Sequence, residues 1–114
     1  MAIPGQLNIE VRERADRAIL VLVGECDLAN ADRLEQAIES PAVTSKPMIV
    51  LDLERLEFMD SSGLRTILAG ADGAAARGQR FAVTAPSEQV QRLLEVTGAA
   101  KRLTLLSASD EVPA

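Results

Sequence analysis

The 114-residue chain has no histidine, no tryptophan and no tyrosine, only one cysteine and only two phenylalanines. Each shortage excludes something. Without histidine, the commonest general base and the commonest metal ligand are both missing. The single cysteine, Cys26, rules out an internal disulfide and any CxxC redox or zinc motif. Scarce aromatics and a net charge of −5 speak against nucleic acid, whose phosphates need a basic stripe and often stacking side chains. The same charge opposes an anionic membrane surface. No apolar run is long enough to span a bilayer, and none resembles a signal peptide. A cytoplasmic protein without membrane insertion is the expectation. The motifs GxSxG, GxxxxGK[ST] and GxGxxG are absent too. A nucleophilic serine would have only a lysine, a carboxylate or the N-terminal amine as its base. No enzymatic activity, small-molecule substrate, cofactor or metal is therefore expected.

What remains is an aliphatic, globular composition with 47% apolar and 25% charged residues. The length suits one domain, 1–114, with a core over about 7–106 and a frayed tail over about 107–114. In LNIEVRER, Leu7, Ile9 and Val11 alternate with polar residues, which predicts a half-buried strand. AILVLVGE follows after only Ala15, Asp16 and Arg17, too few for a crossover helix, so the two strands must form an antiparallel hairpin. Ala31, Leu34 and Ile38 recur at helical spacing behind two candidate caps, Asp27 and Asn30, and Ser40-Pro41 ends the pattern.

PAVTSKP reads as loop, MIVLDL as a buried strand and ERLEF as a short connection. A second helix then carries an apolar stripe of Leu64, Ile67, Leu68, Ala71 and Ala75. Gly70 and Gly73 within it cost about 1 kcal/mol each relative to alanine, and would let the helix sit close to a sheet. RFAVTA is a strand. Ser87 caps a third helix with Val90, Leu93, Leu94 and Thr97 inward, Gly98 stops it, and RLTLL is the last strand. The order β-β-α-β-α-β-α-β predicts an α/β fold. Its sheet is mixed but mostly parallel, with an N-terminal antiparallel hairpin and helices packed on one face.

The stretch Asp60-Ser61-Ser62-Gly63 opens the second helix. Helix N-termini have unpaired N–H groups and favour negative charge, so a phosphate on a serine there would find donors. Aspartate and serine also simply cap helices. Arg65, one turn after Ser61, could pair with such a phosphate or be a solvated surface arginine. Asp52 is a second candidate, as a phosphoacceptor aspartate of the receiver type, since LDLERLEFMDSSG loosely resembles that family's aspartate loop. The missing acidic pair, the position of Lys101 before the last strand and the opening hairpin all oppose it.

The chain resembles the STAS domain family, and within it the bacterial anti-sigma factor antagonists. The resemblance runs from about Leu7 to Leu106. It is carried by the opening hairpin, by VGECDLANADRLEQAI, by IVLDLERLEFMDSSGLRTIL and by RFAVTAPSEQVQRLLEVTG. It implies a non-enzymatic switch. The unphosphorylated protein binds an anti-sigma factor that is also a serine kinase, and this frees a sigma factor. Phosphorylation of Ser61 ends the binding, and a PP2C-type phosphatase reverses it. The resemblance assigns partner contacts to Asp27, Asp60, Ser62 and Gly63, with Ser62 alternatively a cap. It also admits an accessory subunit of a lipid-transport ABC complex and a stress-signalling scaffold protein. Cys26 stands where the family usually has an aliphatic residue, which suits a small buried hydrophobe better than a redox sensor.

Overall fold

The computed structural model describes residues 6–84 and 86–106. The expected tail at about 107–114 lies outside them. The strands are β1 (Leu7–Glu13), β2 (Ala18–Cys26), β3 (Met48–Asp52), β4 (Leu56–Met59), β5 (Arg80–Thr84) and β6 (Thr104–Leu106). The helices are α1 (Ala31–Ile38), α2 (Pro41–Thr44), α3 (Ser61–Ala76) and α4 (Glu88–Val96), followed by a 3-10 turn at Ala99–Lys101.

All six strands join one sheet in the order β1-β2-β3-β5-β6, with β4 also beside β2. The β1–β2 pair is antiparallel and every other pair is parallel. This is the hairpin and the mostly parallel sheet expected from the spacing of the apolar runs. The helices cover one face. Leu20, Leu22, Ile49, Leu51 and Val83 project there against Leu34 and Ile38 of α1, Ile67 and Ala74 of α3, and Val90 and Leu94 of α4. The alternate strand residues, Ile19, Val21, Met48, Val50 and Ala82, form a separate buried cluster to which no described helix contributes. On that side Arg12 stands opposite Ile19 and Glu10 opposite Val21, and the two charges pair at 2.6 Å. Their aliphatic stems can lie over the apolar strand residues while the charged ends stay in water.

The strand that sequence patterning misses is β4. ERLEF is not a plain connection: Leu56–Met59 pairs with the second half of β2, whereas β3 pairs with its first half. A bulge between Gly24 and Glu25 shifts the register. Gly24 has φ 108, a conformation that a side chain disfavours. Only Leu56 and Met59 of β4 are buried, with two exposed residues between them, so the period of two is lost.

Three smaller expectations also change. Within PAVTSKP, Pro41 begins the four-residue helix α2, as its fixed φ and missing N–H allow at a first helical position. The stripe of α3 ends on buried Ala74 rather than exposed Ala75, because inward positions fall at Leu64, Ile67, Ala71 and Ala74. Thr97 is exposed and follows the end of α4, where its hydroxyl donates to the Leu93 carbonyl at 2.6 Å.

The two helix glycines also differ. A Cβ on Gly70 would lie 3.2 Å from Ile38 Cδ1 and 3.4 Å from Phe81 Cε2, so Gly70 allows α3 to approach both α1 and β5. A Cβ on Gly73 would meet only the flexible end of Arg77.

Candidate functional site

The site forms where β2 and β4 end side by side. Cys26 pairs with Met59 across the parallel strands. The next residues, Asp27 and Asp60, therefore leave the sheet together, although 33 positions separate them in the chain. The Asp60 amide donates to the Cys26 carbonyl at 3.1 Å, extending the ladder by one bond.

Asp60 is the N-cap of α3, with extended backbone (φ −104, ψ −173). Its Oδ1 accepts from the amides of Ser62 at 2.9 Å and Gly63 at 3.1 Å, which satisfies two of the unpaired donors at a helix start. Its Oδ2 accepts from the Leu28 amide at 3.2 Å. One carboxylate thus ties the helix start to the loop after β2.

That loop is braced internally as well. Asp27 Oδ1 accepts from the Ala29 amide at 3.0 Å, and Asn30 Oδ1 accepts from the Asp27 amide at 2.9 Å. The Asn30 side-chain amide donates to the Glu25 carbonyl at 2.9 Å. Asn30 occupies the N-cap position of α1 but makes no capping bond with its side chain. Both candidate caps of α1 thus serve the turn that carries Leu28.

Ser61 is the first residue of α3 and is exposed. Its hydroxyl has no hydrogen-bond partner among the described residues. Ser62 is half-buried and is not the cap: its amide donates to Asp60, and its carbonyl accepts from Thr66 Oγ1 at 3.1 Å. Gly63 is buried. A Cβ there would lie 2.9 Å from Cys26 Sγ, 2.9 Å from Met59 Cγ and 3.2 Å from the Cys26 carbonyl oxygen. The close approach that this glycine allows is that of α3 onto the ends of β2 and β4, beneath the surface. The structure therefore gathers Asp27, Asp60, Ser61 and Ser62 around one helix start, with Gly63 and Cys26 as its floor.

Cys26 is fully buried. Burial first, then the carboxylates of Asp60 and Asp27, push its thiol up to about 11. A thiol held protonated is a poor nucleophile, which agrees with a packing role. A consequence can be checked. The native thiol keeps its proton through the range in which an unfolded cysteine, near 9.0, loses its own. Unfolding then releases a proton, so this contribution to stability is complete below pH 9 and is lost as pH rises from 9 through about 11. Urea unfolding at pH 8, 9.5 and 10.5 should show a steeper alkaline decline in wild type than in Cys26→Ala. Parallel declines would contradict this account.

Two contributors escape the sequence reading. Gln89 of α4 accepts from the Met59 amide at 3.0 Å and donates to the Met59 carbonyl at 3.1 Å. It takes the place of a neighbouring strand for the residue just before Asp60, and nothing local to Gln89 announces a partner 30 positions away. Leu28, 78% exposed, stands on the braced turn beside Asp60. Its signal in the sequence is a large apolar residue between Asp27 and Asn30 in a segment that otherwise reads as polar turn. Asp52, the receiver-type candidate, accepts from the Glu54 amide at 3.0 Å in a tight turn after β3.

Fold and site together define a single mixed α/β unit whose exposed serine opens a helix capped by the preceding aspartate. The chain belongs to the STAS domain family: the family model described as "Mlab, STAS domain" matches residues 9–107. The chain is 31% identical over 107 residues to the anti-sigma-F factor antagonist RsfB of Mycobacterium tuberculosis, across 94% of this chain and 87% of that one. It is 25% identical to an anti-sigma-B factor antagonist of Listeria monocytogenes, across 93% and 94% of the two chains. The crystal structure of an anti-sigma factor antagonist from Mycobacterium paratuberculosis superposes with a TM-score of 0.86 at 28% identity, covering 97% of this chain and 95% of that one.

Proposed function

We propose that this chain is an anti-sigma factor antagonist whose binding is switched off by phosphorylation of Ser61. The names of its relatives support the first half. The observation that carries the second is the division of labour at the start of α3. Asp60 does the capping, and the Ser61 hydroxyl is exposed and uncommitted among the described residues. A kinase can take that hydroxyl without dismantling the helix. The γ-phosphoryl group of ATP passes to Ser61 Oγ, the hydroxyl proton leaves, and ADP departs. A phosphoserine brings about −1.5 to −2 charges at neutral pH, next to the carboxylates of Asp60 and Asp27. A partner surface matched to a neutral hydroxyl then meets a concentrated anion and is repelled. The partners in this reading are an anti-sigma factor that is itself a serine kinase and a PP2C-type phosphatase. The contact face comprises Asp27, Asp60, Ser61 and Ser62, with Gly63 fixing the height of α3 beneath it.

The test is phosphorylation by the anti-sigma factor kinase of the same organism, read by intact mass and site mapping. One added phosphate on Ser61 is expected, with none on Ser61→Ala. Ser61→Ala should lose less than about 0.5 kcal/mol of stability, as suits a surface site making no capping bond. Phosphate that persists in Ser61→Ala would overturn the assignment. Co-purification with a permease and an ATPase, unaffected by Ser61→Ala, would replace this reading with that of a transport-complex subunit.

A further inference from the structure

An open groove runs along α3 from Ser61 to Arg102. Ser61, Arg65, Ala69 and Asp72 line it at helical spacing, with Leu64 and Leu68 beside them. Its two arginines differ. Arg102 is held at the far end by Asp72 at 3.4 Å. Arg65 is exposed and makes no ion pair or hydrogen bond with any described residue. It sits one helical turn after Ser61, a rise of about 6 Å.

We propose that Arg65 is the residue that binds the phosphate carried by Ser61, so that phosphorylation captures this guanidinium on the protein's own helix. The inference rests on the proposed modification of Ser61. The physical argument is directional. Helical side chains lean toward the N-terminus, so a long side chain at position i+4 reaches back over position i. An acid placed four residues before a base is the favoured orientation of such a pair. A phosphate offers three strong acceptor oxygens to the planar guanidinium, which can engage two of them in parallel. Among the described residues Arg65 has no carboxylate partner to leave, and Asp72 lies two turns further on and is occupied by Arg102.

One modification then changes the face twice. It adds the charge of the phosphate and withdraws the cation that the unmodified face presents. A partner whose acidic group had met Arg65 loses that contact at the moment the phosphate appears.

The groups around the phosphate pull in opposite directions. The carboxylates of Asp60, immediately before Ser61, and of Asp27, on the adjoining loop, raise its second pKa. Arg65 lowers it. The test installs phosphoserine at position 61 by nonsense suppression, which needs no kinase, and follows its phosphorus-31 resonance through a pH titration. Relative to the phosphorylated wild type, Arg65→Gln should raise the second pKa by about half a unit. Arg65→Lys should give a smaller rise, and Arg102→Gln should leave the value unchanged. No change in Arg65→Gln, or an equal change in Arg102→Gln, would overturn the proposal. Because the phosphate is installed directly, these results are independent of whether a kinase modifies Ser61, which the mass-mapping experiment decides.

Discussion

Asp60→Ala is expected to lose about 2 kcal/mol of stability, more than an ordinary cap substitution. The cap alone, with Oδ1 on the amides of Ser62 and Gly63, accounts for about 1 kcal/mol. The remainder comes from Oδ2, whose loss leaves the Leu28 amide without its acceptor and frees the turn after β2. Asp60→Asn separates the two parts. Its carbonyl oxygen can still cap α3, but its amide nitrogen would face the Leu28 amide, donor against donor. Asparagine should therefore keep most of the helix stability and lose the loop. Urea unfolding gives the total. Amide hydrogen exchange at residues 27–30 against 61–64 gives the division. Equal protection of both segments in Asp60→Asn would show that the carboxylate does not couple them. The functional corollary is that Asp60 holds the Ser61 helix and the Leu28 turn in one relative position.

Gly63→Ala is the second large effect, at about 1–3 kcal/mol. Alanine ordinarily favours a helix over glycine by about 1 kcal/mol, so a loss here runs against propensity and diagnoses contact. The new Cβ would meet Cys26 Sγ and Met59 Cγ, each at 2.9 Å, and the Cys26 carbonyl oxygen at 3.2 Å. Met59 Cγ sits near the base of a fully buried side chain, and the backbone carbonyl of β2 cannot move without disturbing the end of the sheet. Adding Cys26→Ala removes the sulfur and not the carbonyl, so the double variant should recover only part of the loss, measured as a coupling energy in a double-mutant cycle. Full additivity would mean that the two sites do not touch. Since the lift of α3 also carries Ser61 outward, the proposed switch predicts slower phosphorylation of Gly63→Ala in addition to its lower stability.

Much of this architecture is legible in the chain. The alternation of Leu7, Ile9 and Val11 names β1, and the short span to AILVLVGE dictates the antiparallel hairpin. Ala31, Leu34 and Ile38 name the inward face of α1, and all three are buried. Ser87 and Gly98 mark the ends of α4 as expected: the serine hydroxyl accepts from Val90, and the glycine adopts φ 78. These are local signals, because the period of burial and the chemistry of caps are written within a few residues of where they act. The motif Asp60-Ser61-Ser62-Gly63 is likewise visible as a helix start, and three cap-grade residues in a row pose the question of which one caps.

Only the tertiary structure answers that question, and for a physical reason. A cap is decided by which oxygen points at the free amides. The parallel pairing of Cys26 with Met59 sets Asp60 at the end of a strand, with one carboxylate oxygen toward α3 and the other toward Leu28. The same pairing makes neighbours of Asp27 and Asp60, lays Gly63 on Cys26 and lets Gln89 complete the edge of Met59. None of these contacts has a local period, since each joins segments about 30 residues or more apart. The sequence by itself determined the hairpin, the helices and the presence of a special helix start. The sheet's closure of β2 against β4 decided that the aspartate is the cap and that the first serine is left exposed at the surface.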